Sequence, residues 1–168
     1  MITRKNKTRK LVVSALVASL YAVITLVLGA IGYGPIQFRI AEIMILLPFI
    51  KKDYIWGLTI GCFVANIIGP YGVPDIIFGT IATFLSAYAV YLTSKYIKNK
   101  LSLLIASIWP TIINGVVIGF MLNKFFGVPM TLGMLQVALG EFVVITIVGV
   151  PLYKSLEKKY LKYLENVF

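Results

Sequence analysis

The chain is a succession of apolar runs separated by short polar turns, and this constrains its fold more than any other feature. The runs cover residues 11–30, 37–50, 54–68, 74–95, 101–122 and 131–153. In hydrocarbon, a backbone that is not helical survives only where protein or a water-filled cavity shelters it. The runs are therefore expected to be membrane helices, and the turns are where irregular backbone is expected. The runs 37–50 and 54–68 are shorter than the ~20 residues a spanning helix usually needs. The expected fold is an all-α integral membrane protein: one domain over 1–168, with a basic tail at 1–10, a six-helix bundle at 11–153 and an amphipathic tail at 154–168. In that tail Leu156, Tyr160, Leu164 and Phe168 recur every four residues, a pattern suited to a membrane surface.

Composition agrees. Hydrophobic residues make up 60% and charged residues 13% of the chain, against about half and about a quarter in soluble domains. The net charge of +10 invites a nucleic-acid partner, but its distribution points to a bilayer instead. Of 16 Lys and Arg residues, all but Arg39 and Lys124 fall before the first run, at Lys51 and Lys52, from the last residue of the fourth run up to the fifth, or after the sixth. With six spans these regions share one side, and the positive-inside rule makes that side, with both termini, cytoplasmic. The basic stretch 4–10 followed by apolar residues looks like a secretory signal. The apolar run reaches Ile31, however, longer than a signal core, so an uncleaved first helix is expected.

Some chemistries are excluded. There is no histidine, which removes histidine-based zinc sites and Ser-His triads. No GxxxxGK[ST] motif occurs, so this chain carries no P-loop. No nucleophile–base pair is visible. The expected protein is not an enzyme and needs no metal or cofactor. Cys62 has no second cysteine to pair with and is expected only to pack.

Three stretches break the apolar pattern: 32–42 (GYGPIQFRIAE), 66–75 (NIIGPYGVPD) and 123–131 (NKFFGVPMT). Two prolines and two glycines between Gly69 and Pro74 forbid regular helix. All three are expected at the outer face, roofing a pocket. Polar groups within spans are expensive and are functional candidates by default. They are Asn66, Asp75, Asn114, Gln136 and Glu141, together with Arg39 and Glu42. Each also has a plain structural role open to it. Asp75 suits a helix start, Arg39 and Glu42 are spaced to pair with each other, and the asparagines suit interhelical hydrogen bonds. Glu141 has no Lys or Arg within a turn, leaving protonation, a pair with Arg39, or a ligand.

Small residues form a further pattern. In the first run they give the pairs Ala15/Ser19 and Ala18/Ala22, a face that lets another helix approach closely. Gly57, Gly61, Ala65 and Gly69 in the third run, and Gly115 and Gly119 in the fifth, do the same.

At YGPIQFRIAEIMILLPF, ANIIGPYGVPDIIFGTIAT, VALGE and GVPL the sequence resembles the queuosine-precursor (QueT-type) family of ECF-transporter S-components, over about residues 9–156. The resemblance implies the six-helix S-component bundle and, as partners, a T-type transmembrane coupling protein and two ATPase subunits. It implies as substrate a 7-deazaguanine: preQ1, preQ0 or queuine. It also implies that Ala15, Ala18, Ser19 and Ala22 dock on the coupling protein and that 32–39 lids the pocket. Residue chemistry suggests the roles. The adjacent N–H donors of a deazaguanine suit the Glu141 carboxylate, and its carbonyl suits Asn114, Gln136 or Gln37. Its flat face suits Tyr71, Phe38 or Trp109, and an aminomethyl cation suits Asp75 or Glu42. The alternatives are an S-component or solitary carrier for another small vitamin-like ligand, or a non-catalytic membrane assembly protein.

Overall fold

The computed structural model describes residues 4–34 and 36–165, and every regular element among them is helical. In order these are α1 (Arg4–Val27), the single turn α2 (Gly29–Gly32), a 3₁₀ helix (Ile40–Phe49), α3 (Tyr54–Ile68), α4 (Gly72–Tyr96) and α5 (Ser102–Phe126). They are followed by α6 (Met130–Glu141), a π-helical segment (Phe142–Gly149) and α7 (Val150–Glu165). The last three form one continuous rod. Four stretches are long and apolar enough to cross a membrane: Lys7–Val27, Gly72–Tyr96, Ser102–Phe126 and Met130–Glu157. The 3₁₀ helix and α3 are shorter apolar helices.

The second apolar run differs most from expectation. It is wound as a 3₁₀ helix of 10 residues, not as α-helix over 37–50. At about 2.0 Å per residue, against 1.5 Å in an α-helix, this winding carries the chain further for its length. Pro48 lies inside it. Its buried residues Ala41, Glu42, Ile45 and Leu46 face the core formed with Tyr21, Leu58, Cys62 and Ile145. The sixth run extends beyond Tyr153 to Glu165 without a break. The side chains of Tyr160 and Leu164, and Phe168 altogether, lie outside what the structure describes.

Small residues set the packing. A Cβ on Gly61 would stand 2.7 Å from the Ala18 carbonyl oxygen, and one on Gly57 2.9 Å from that of Ser14, so α1 and α3 touch backbone to backbone. Gly119 lies equally close to Met134, joining α5 to α6. Ala18 and Ala22 are buried in the α1 interface, whereas Ala15 and Ser19 are exposed. Half of the small-residue face of α1 is thus consumed inside the bundle, because the glycines of α3 admit it.

Candidate binding site

The three Gly/Pro stretches meet at one end of the bundle. The Tyr33 and Tyr71 rings pack edge to face with centroids 6.0 Å apart, and Tyr71 packs likewise on Phe126 at 5.2 Å. The Tyr71 hydroxyl donates to the Tyr33 carbonyl at 3.0 Å. Within 66–75, the Asn66 amide donates to the Asp75 carbonyl at 2.9 Å, closing the turn between α3 and α4. Gly127, at φ +69°, ends α5 in a left-handed conformation suited to glycine. These turns surround a cavity of about 490 Å³ whose lining includes Tyr33, Gln37, Tyr71, Phe126, Pro129 and Gln136.

Beneath the turn end the bundle buries a cluster of polar side chains drawn from five helices. Arg39, Glu42, Asn66, Asp75, Asn114 and Glu141 are all less than a tenth exposed. Arg39 forms an ion pair with Asp75 at 3.4 Å, and its guanidinium lies 5.4 Å from the centre of the Tyr33 ring. Glu42 receives a hydrogen bond from the Tyr21 hydroxyl. Glu141 stands within electrostatic reach of Glu42, Arg39 and Asn114. Arg39 and Glu42 therefore do not pair with each other. Arg39 stands before the 3₁₀ helix on non-helical backbone, whereas Glu42 lies in its first turn, and each finds a different partner, Asp75 of α4 and Tyr21 of α1. The ion pair of Arg39 goes to Asp75, not to Glu141. Asp75 combines that pair with its place in the first turn of α4.

Several buried polar atoms have no hydrogen-bond partner among the described residues. They include one oxygen each of Glu42 and Glu141, the Asn114 amide nitrogen, the Asn66 amide oxygen and the Tyr33 hydroxyl. Buried polar atoms are almost always satisfied in proteins, so a concentration of orphans calls for an explanation. Gln37 is the partition between cavity and cluster. It lines the cavity, and its backbone crosses α6 at Gly140, where a Cβ would collide with the Gln37 carbonyl oxygen. Glu141 is the next residue.

Two of the aromatic candidates lie elsewhere. Phe38 is packed on the apolar core. Trp109 is 41% exposed and donates its indole N–H to Thr93 at 3.0 Å, close to the far end of α4. Tyr21 and Tyr33 are the residues that sequence reasoning missed. Tyr33 stands inside the GYGP stretch, between the glycines and proline that mark the turn. Tyr21 lies between the small residues of α1, where only its hydroxyl hinted at a buried acceptor.

An all-helical chain with several membrane-length helices, a solvent-reachable cavity at one end and a polar cluster beneath it has the build of a membrane transport protein. Comparison with known proteins narrows this class. The model of the QueT transporter family matches residues 11–158, and the chain belongs to that family. The queuosine precursor transporter QueT of Lactococcus lactis subsp. cremoris (strain MG1363) is 42% identical over 84 residues, which is 49% of this chain and 49% of that protein. The matched part thus spans about half the length of that curated relative. No solved structure gives a significant match. The chain is a multi-pass protein of the cell membrane.

Proposed function

We propose that this protein is the substrate-binding S-component of an energy-coupling-factor importer and takes up a 7-deazaguanine precursor of queuosine. It binds without catalysis. The observation that carries this reading is the set of unpaired polar atoms under the cavity, above all the carboxylates of Glu42 and Glu141. A deazaguanine presents adjacent N–H donors on one edge and a carbonyl beside them. Glu141 accepts the donors in bidentate fashion, and Asn114 donates to the carbonyl. Tyr71 and Tyr33 supply flat faces at the cavity wall. The segment carrying Gln37 moves aside to let the ligand reach the carboxylates and closes over it afterwards. The similarity to a relative named as a queuosine precursor transporter supports the substrate class.

The remaining parts of the reading concern the surroundings. Six membrane passes put both termini in the cytoplasm, in keeping with the one-sided distribution of Lys and Arg. The turn end then faces outward. Energy comes from a T-type coupling protein and two ATPase subunits. Of the four small residues on α1, Ala15 and Ser19 remain exposed to receive that partner.

Titration of the purified protein with preQ1, preQ0 and queuine tests the substrate class. Glu141→Gln is expected to weaken binding roughly ten- to a hundredfold, the worth of a hydrogen bond to a charged group. Its ligand-free melting temperature is expected to hold, since a neutral amide is cheaper to bury than an unpaired carboxylate. Unchanged affinity with lowered melting would remove Glu141 from the site.

A further inference from the structure

Charge in the buried cluster does not balance. Asp75, Glu42 and Glu141 bring three carboxyl groups, and Arg39 is the one buried Lys or Arg among the described residues. Arg39 is committed to Asp75 at 3.4 Å. Glu42 and Glu141 share the field of that same cation without an ion pair to it, and each keeps one oxygen with no hydrogen-bond partner. Glu42 is 1% exposed and Glu141 6%, so bulk solvent does not screen either one. A carboxylate buried without a counter-charge is strongly unfavourable. A neutral heterocycle satisfies one of the two through its N–H edge and leaves the other as it was.

We infer that the site selects a deazaguanine bearing a protonated aminomethyl arm over a neutral one, with Glu42 as the residue that reads the positive charge. This rests on the deazaguanine reading proposed above. Asp75 is the other carboxylate near enough in kind to accept such a cation, but its partner is already in place. Glu42 has an oxygen to give, and its second oxygen is held by the Tyr21 hydroxyl, which fixes the carboxylate on the 3₁₀ helix. Tyr21 is therefore a positioning residue for the charge reader. An ammonium brought beside Glu42 supplies the second cation that the three carboxyl groups lack, while Glu141 keeps the N–H edge.

The probes are preQ1, whose arm is a primary ammonium, and preQ0, whose arm is a neutral nitrile, titrated into the purified full-length protein. The wild type is expected to bind preQ1 at least tenfold more tightly than preQ0. Glu42→Gln is expected to bring that ratio close to one by weakening preQ1 at least tenfold more than preQ0. Tyr21→Phe is expected to narrow the ratio without removing it. Equal binding of the two probes by the wild type would overturn charge selection and leave the deazaguanine reading standing. A ratio that survives Glu42→Gln would overturn the assignment to Glu42. Binding of neither probe would overturn the deazaguanine reading and this inference with it. The wild-type ratio needs no variant to fold.

Discussion

Two hollows of the bundle are nearly equal in size and opposite in character. The cavity at the turn end holds about 490 Å³ and is bounded by Gln37, Gln136 and the tyrosines of two turns. The groove between α1, the 3₁₀ helix and α7 holds about 500 Å³ and is lined by Val13, Val17, Leu20, Ile24, Met44 and similar apolar side chains. Volume alone does not separate them. They differ in what lies behind the wall. Behind the cavity is a five-helix cluster of buried polar groups with unpaired atoms, and behind the groove is apolar core. A specific site needs a few convergent polar groups in an otherwise apolar setting, and the cavity wall offers Gln37, Gln136, Tyr33 and Tyr71.

That contrast is open to test. The largest effect is expected from Arg39→Met, which strands Asp75 as a buried charge with no partner. Breaking a buried pair in this way costs about 3–5 kcal/mol, a fall in melting temperature of roughly 6–20 °C. The double variant Arg39→Met/Asp75→Asn is expected to recover much of the loss, as a double-mutant cycle would show. If the single variant melts like the wild type, the cluster is not the stressed part of the molecule. A smaller effect is expected from Gly140→Ala. The new methyl lands on the Gln37 backbone and holds the partition off α6. Overpacking of this kind costs about 1–3 kcal/mol, or roughly five- to a hundredfold in ligand affinity if the partition closes over the ligand. Unaltered binding would show that the partition takes no part. The smallest effect is expected from Leu20→Ala in the groove. Leu20 is half exposed, so stability should change by less than about 0.5 kcal/mol and ligand affinity by less than about twofold. A large loss of binding there would erase the distinction between the two hollows.

Much of this arrangement could be read from the sequence. Spans announce themselves because lipid allows nothing else, and the Gly/Pro stretches mark the turns that converge on Tyr71. Asn66, Asn114, Glu141 and Asp75 stand out because a polar residue in an apolar run is costly. Partner choice was not legible. Arg39 lies three residues from Glu42 and 36 from Asp75, yet it pairs with Asp75, since only the assembled bundle decides which carboxylate its guanidinium meets. The 3₁₀ winding of Ile40–Phe49 was hidden for a similar reason, as its composition suits an α-helix equally well. Trp109 and Phe38 show the converse. Aromatic character recommended both for stacking, but it equally suits a core or a lipid-facing position.

The π-helical segment Phe142–Gly149 begins directly after Glu141. Its i→i+5 turns hold more residues than α turns, and Val144, Ile145 and Thr146 are buried in succession there. Each residue added to a turn rotates the rest of the rod by about 100° relative to α winding. In mechanical terms the sixth rod is a shaft with a slipped coupling at mid-length. On one side of the coupling Gln136 faces the cavity; on the other, Leu152, Tyr153 and Leu156 face the groove. The angular setting of one set does not dictate that of the other, and a return of the wide turns to α winding would rotate them against each other. The two hollows thus share one rod, with the wide turns lying between the residues that face each.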